Sequence, residues 1–429
     1  MQIIVYSSHF SSRLKYILDV ILNERLGLNY GLTNNKVDAI NSKLPVICYD
    51  DEKIAGSIHI IPNKLLFERK IEAQQIKFEQ QQSRWLLFLN ESETGFDIFA
   101  ATFYLITRYE EYLPFKGDKF GRFTVSESLM GKQNLVREPL IDIWIYDFAL
   151  LLKERFSSLN IKKIAYNQQV TVDIDMFFSY ICKPFPRLMG GFAKDLLSLK
   201  WNSLIKRLLT NFGISKDPFD FFDFLQEIHF ENYKPIFFIA AGSYGNQDTA
   251  NPLYCKRVQQ KIEKCKQIGI IGLHPSFHSH QNNELLISEK EELALYSQQV
   301  PRLSRQHFLM LSIPNTYRNL IQQGFTNDYS LGYAEEPGFR AATASSFLFY
   351  DLLHEETTNL RIHPFVTMDR TYISYKNMKA ADSLIDMLEL KNKVKQYGGT
   401  FISLWHNITL SQTPEGCKWR QVFHQFIQA

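Results

Sequence analysis

VTVDID, residues 170–175, decides how this 429-residue chain reads. Its β-branched residues favour a strand, and the strand finishes on two carboxylates, Asp173 and Asp175. Two positions apart on a regular strand, they face the same way. Side by side they repel unless a proton or a cation neutralises one of them. Further along, apolar runs recur at PIFFIAA (235–241), IGIIGLH (268–274), RQHFLML (305–311) and TFISLWH (400–406). Between them lie helical patterns such as YCKRVQQKIEKCKQIG (254–269) and PNTYRNLIQQGF (314–325). Strand alternating with helix predicts a parallel sheet or barrel. In such folds, functional groups gather at the carboxyl ends of the strands.

That rule brings three groups together: the Asp173/Asp175 pair, His274 and His278 in HPSFH, and His406 at the end of the last run. His274 and His278 are four apart and could share one helical face, or sit at the mouth of a strand. HxxxH alone is common in cores and loops. Together with two carboxylates, however, it forms a mixed site for a divalent metal. Such a metal lowers the pKa of its bound water and polarises a carbonyl. A carboxylate beside it can take a proton and a histidine opposite can donate one, with His406 suited to the second task. His280, before the polar Gln281-Asn282-Asn283, reads as exposed. Arg305 and His307 sit on an expected strand, equally suited to the site or to the core.

The ordered set TVDID (171–175), HPSFHS (274–279), FRAAT (339–343) and LWHN (404–407) resembles the polysaccharide deacetylase family of carbohydrate esterases over roughly residues 165–410. The resemblance implies a distorted (β/α) barrel. By position it also implies Asp173 as general base, Asp175, His274 and His278 as metal ligands, Arg340 as the residue orienting the base, and His406 as general acid. Asp369 in HPFVTMD is the position for a carboxylate supporting His406. The family's first motif has adjacent aspartates, whereas Ile174 separates them here. ITRYEEYL and DKFGRF are similar to a domain of unknown role that precedes some bacterial deacetylases.

The length exceeds what one core organises. Residues 1–160, with strands expected at 3–6, 45–49, 57–61 and 85–89, read as a smaller α+β domain. Helices are expected from Ser11, through FDIFAATFYLITRYEEYL (96–113), and through DIWIYDFALLLKERF (142–156). Residues 165–429 read as the barrel, with a helical insertion at about 183–230. A net charge of +3, with lysines and arginines spread along the chain, is too weak to argue for nucleic acid, and no nucleic-acid partner is expected. The 34 Phe and 21 Tyr offer stacking platforms for sugar rings. Five cysteines (Cys48, Cys182, Cys255, Cys265 and Cys417) without a CxxC pair read as free thiols of a reducing compartment. No export signal and no apolar run of ~20 residues are evident, so a cytoplasmic protein without a transmembrane segment is expected. The expected activity is metal-dependent hydrolysis of an amide-linked acetyl group on a carbohydrate or glycan precursor. Zinc is the first choice of metal, with cobalt, nickel or iron also suited. The alternative is an inactive carbohydrate-binding protein that keeps the barrel.

Overall fold

The computed structural model describes residues 2–81, 83–230, 233–242, 245 and 247–429. Two compact units emerge. The first combines Met1–Asn167, Gly338–Pro364 and Lys391–Phe401; the second combines Gln168–Pro337, Phe365–Leu390 and Ile402–Ala429.

The first unit begins with β1 (Ile3–Tyr6), α1 (Ser12–Leu18), β2 (Tyr30–Thr33), α2 (Lys36–Ile40), β3 (Val46–Tyr49) and β4 (Ile58–Ile60). They form a sheet of order β2-β1-β3-β4, and every pairing is parallel. The α+β expectation is therefore corrected to a parallel α/β arrangement, since α1 and α2 each carry the chain back to start a parallel strand. β2 escapes the hydrophobic pattern because it is a half-buried edge strand. The short antiparallel pair β5 (Glu79–Gln81) and β6 (Arg84–Leu86) follows.

Asp97 caps α3 (Ile98–Ile106), accepting hydrogen bonds from the amides of Phe99 and Ala100 at 3.0 Å. All nine residues of α3 are buried. The helix ends well before residue 113 because Arg108 adopts a left-handed φ of 54° and a tight turn follows. α4 (Leu129–Lys132) and α5 (Leu140–Arg155) complete this part.

In the second unit, β7 (Tyr166–Ile174) leads into α6 (Phe185–Leu197), α7 (Trp201–Asn211) and α8 (Phe222–Gln226), the helices of the expected insertion. β8 (Ile236–Ala240), α9 (Lys256–Ile268), β9 (Ile270–His274), α10 (Asn283–Ser297), β10 (Leu303–Ser304), α11 (Asn315–Gln322) and β11 (Asn327–Asp328) come next. β12 (Phe347–Asp351) and β13 (Glu356–Ile362) form an antiparallel hairpin of the first unit. β14 (Thr367–Met368), α12 (Ala380–Tyr397), β15 (Gly399–His406) and α13 (Pro414–Gln428) end the chain.

The strands of the second unit run β11-β10-β9-β8-β7-β15-β14. β7 through β11 pair in parallel, as do β14 and β15. Among the described residues no pairing joins β14 to β11, so the expected barrel is only partly closed. Ile236, Phe238, Leu309, Tyr329, Phe365, Met368, Ile402 and Leu404 form a core cluster of this unit. Gly272 permits close packing within the sheet, because a Cβ there would come 2.7 Å from the Phe238 ring.

Three expectations change. RQHFLML is not a strand: β10 ends at Ser304, and Phe308 and Leu309 turn through φ of 55°. Cys182 and Cys255 are joined by a disulfide (S–S 2.11 Å), and their 73-residue separation leaves no spacing signal in the sequence. Only Cys48, Cys265 and Cys417 are free. The segment 338–364, placed in the barrel from its sequence position, belongs to the first unit. There Asp142 accepts hydrogen bonds from the Thr343 hydroxyl at 2.7 Å and the Ala344 amide at 2.8 Å, and it pairs with Arg25 at 2.7 Å.

Candidate metal centre

The parallel register brings the strand ends level. Asp173 pairs with Phe238, Ala240 with His274, and Leu273 with Ser304. Thr171 and Asp173 share one face of β7. On that face the Arg305 guanidinium reaches the Thr171 hydroxyl at 3.0 Å and comes within 3.7 Å of the Asp173 carboxylate. Arg305 is fully buried and lies over the Phe238 and Phe365 rings. Burial disfavours its charge, against the attraction of Asp173 and Asp328.

Asp175, His274 and His307 bring one ligand atom each to within 4.8 Å of one another. Asp175 Oδ1 lies 3.4 Å from His274 Nε2 and 3.6 Å from His307 Nε2. Both imidazoles are fixed from behind. His274 Nδ1 donates to the Arg305 carbonyl at 2.5 Å, and His307 Nδ1 donates to Asp248 at 2.8 Å. Each ring therefore aims Nε2 at Asp175, the arrangement by which outer hydrogen bonds orient metal-binding histidines. Burial opposes the charge on Asp175, but the adjacent His274 imidazole and the positive fields of His307 and His406 hold its carboxyl well below the usual range. Burial likewise opposes the charging of His274, and Asp173 and Asp175 outweigh it, raising its pKa.

Asp175 Oδ1, His274 Nε2 and Asp173 Oδ1 are buried without a hydrogen-bond partner. Polar atoms orphaned in this way are costly, and the Nε2 atoms of His274 and His307 with a carboxylate oxygen of Asp175 suit a divalent transition metal. The donor set therefore fits a metal ion.

At the end of β15, His406 Nδ1 donates to Asp369 Oδ1 at 2.7 Å, and the His406 amide donates to the other carboxylate oxygen at 2.8 Å. Burial works against charging His406. Asp369 beside it, with Asp175 and Asp173 further away, wins and pushes the pKa up to about 9.

Two sequence-derived candidates are not brought into this cluster. The chain turns after His274 instead of forming a helix, so His278 does not share a face with it; His278 is exposed. His280, expected to be exposed, is buried, with Nδ1 donating to the Phe277 carbonyl at 2.7 Å. Arg340 lies in the first unit and pairs with Glu111 at 2.7 Å, not with Asp173. Arg108 binds the same Glu111 at 2.8 Å and also the Arg340 carbonyl. Removing Arg340 leaves a buried carboxylate under-compensated. Arg340→Ala should thus cost about 3 kcal/mol in urea unfolding, with metal content unchanged. Arg305 and His307, to which the motif reading gave no role, are the residues that stand beside Asp173 and Asp175. Their signal was a polar Arg305-Gln306-His307 run opening an apolar stretch directly after a strand.

Residues 3–157 match a family of unknown function, DUF7033. Comparison with curated proteins finds no match. Among solved structures, the chain is similar to a Mycobacterium smegmatis protein described as a polysaccharide deacetylase (13% identity, 62% of this chain and 85% of that one, TM-score 0.40). It is also similar to a Bacillus cereus polysaccharide deacetylase (11%, 62% and 88%, TM-score 0.27) and to a Puue allantoinase (12%, 62% and 85%, TM-score 0.36). Among the described residues no helix is long and apolar enough to cross a membrane.

Proposed function

We propose that this protein is a metal-dependent hydrolase that removes an N-linked acetyl group from a carbohydrate. The observation that carries the proposal is the convergence of three groups at the strand ends: the Asp175/His274/His307 cluster, the Asp173–Arg305 pair and the His406–Asp369 pair. A divalent cation, zinc by preference, held by Asp175, His274 and His307 would supply Lewis-acid activation of water and of the amide carbonyl. Asp173, outside that ligand set, takes the proton of the attacking water, while Arg305 orients the carboxylate and balances its charge. His406, held protonated by Asp369, gives a proton to the departing amine. Arg305 thus takes the orienting role that the motif resemblance gave to Arg340, and His307 the ligand role it gave to His278. The acetylated sugar is proposed from the motif resemblance and from the aromatic-rich composition.

The test is acetate release from N-acetylated oligosaccharides by the zinc-loaded protein. Wild type should release acetate, and Asp173→Asn should lower kcat at least roughly a hundredfold with metal still bound. Sugar binding without any acetate release would overturn the catalytic proposal and leave a carbohydrate-binding protein.

A further inference from the structure

The helices that follow β7 carry an apolar surface that the proposed chemistry does not use. On α6, Phe185, Met189, Leu196 and Leu197 are exposed, and on α7 so are Trp201, Ile205 and Leu208, with Phe212 just beyond its end. Positions 185, 189 and 196, like 201, 205, 208 and 212, recur at the spacing of a single helical face. Leu197 is 85% exposed, Phe212 77% and Phe185 72%. Isolated exposed apolar residues are ordinary, but a contiguous stripe of large ones marks an interaction surface.

The opposite side of the hairpin is tied internally. Arg207 pairs with Asp195 at 2.8 Å and lies over the Tyr180 and Phe192 rings. Gly191 makes room for this, since a Cβ there would come 2.5 Å from the guanidinium. The helices are thus held together by their polar faces and leave their apolar faces uncovered.

Charge indicates what covers them. Residues 183–216 contain seven Lys and Arg and one acidic residue, a net +6 within a chain whose total is +3. Lys194, Lys200 and Lys206 are exposed, while Lys216 pairs with Asp223. A second copy of this chain would set +6 against +6. A surface that is apolar when entered and negative at its rim complements the hairpin, and amphipathic helices with basic flanks and Trp, Phe and Leu on the other face lie in such interfaces.

We infer that the α6–α7 hairpin is an interfacial anchor that seats on an anionic lipid bilayer. It lies flat in the headgroup region, with Phe185, Leu197, Trp201 and Phe212 inserted and the lysines at the phosphates.

Co-sedimentation of the full chain with vesicles tests this, comparing phosphatidylcholine alone with an equal mixture of phosphatidylcholine and phosphatidylglycerol. The protein should partition onto the mixed vesicles and far less onto the neutral ones, and added salt should weaken binding. Leu197→Glu/Phe212→Glu and, separately, Lys194→Gln/Lys200→Gln/Lys206→Gln should each lower the partition coefficient at least roughly tenfold. All five positions are exposed, so metal content and the circular dichroism spectrum should stay as in wild type. No partition onto mixed vesicles at low salt would overturn the inference, as would partition unaffected by both variants. Self-association abolished by Leu197→Glu/Phe212→Glu, without vesicle binding, would assign the face to a second copy and overturn it equally.

Discussion

Purified protein should carry about one equivalent of a divalent transition metal, and the His274→Ala/His307→Ala variant should carry none. The two imidazoles supply the nitrogens that face Asp175, and each is already oriented by a hydrogen bond to its Nδ1. Burial opposes charging of His274, but Asp173 and Asp175 raise its pKa, so a proton and a cation compete for its Nε2. Binding should therefore release protons and weaken as the pH falls and His274 is charged more fully. Removing either ligand should cost more than the 10- to 100-fold that loss of an orienting partner costs. His278→Ala should keep full occupancy, because His278 is exposed and outside the cluster. Elemental analysis after dialysis distinguishes the two histidines directly. If His278→Ala loses the metal and His307→Ala keeps it, the ligand set proposed above is wrong.

The second large effect concerns the other end of the reaction. Asp369→Asn should lower turnover at pH 8 roughly a hundredfold and move the alkaline limb of the rate profile toward acid. His406 is the proposed proton donor, so the rate depends on its protonated form and falls as the pH rises through its pKa. That pKa is raised to about 9, against the opposing effect of burial, mainly by Asp369. Without the carboxylate charge, burial dominates and His406 is neutral over more of the neutral range. A bound cation offsets the contribution of Asp175, which places the wild-type limb between the ordinary histidine value and about 9. The same linkage acts on folding: the stabilisation from charged His406 is complete below the unfolded-state pKa and is lost as the pH rises through the folded one. A pH–kcat profile of the two proteins checks the claim. An alkaline limb that stays in place in Asp369→Asn would mean another group donates the proton.

The carboxyl-end rule made much of this arrangement legible. Asp173, Asp175, His274 and His406 end apolar runs whose composition signals buried strands, and β7, β9 and β15 form at those runs. His307 and Arg305 were harder, because the segment carrying them looks like a strand yet turns at Phe308, and a turn obeys no two-residue alternation. His278 misled for the reverse reason: four-residue spacing implies a shared face only if a helix forms, and Pro275 onward turns instead. Arg340 sat in a motif-like string, but its partner Glu111 lies 229 residues away. No local pattern reports a pairing of that span. The same holds for the Cys182–Cys255 bond and for the assignment of residues 338–364 to the first unit.

That last assignment bears on how the chain is made. Asp142 waits for Thr343 across 201 residues, and the buried Arg13 guanidinium waits for Glu355 across 342. At translation rates of 5–20 residues per second, the first of those gaps lasts roughly 10–40 s. Over that interval the emerging amino-terminal half holds Asp142 with Arg25 alone and the Arg13 guanidinium without its carboxylate, and it completes only after much of the second unit has left the ribosome.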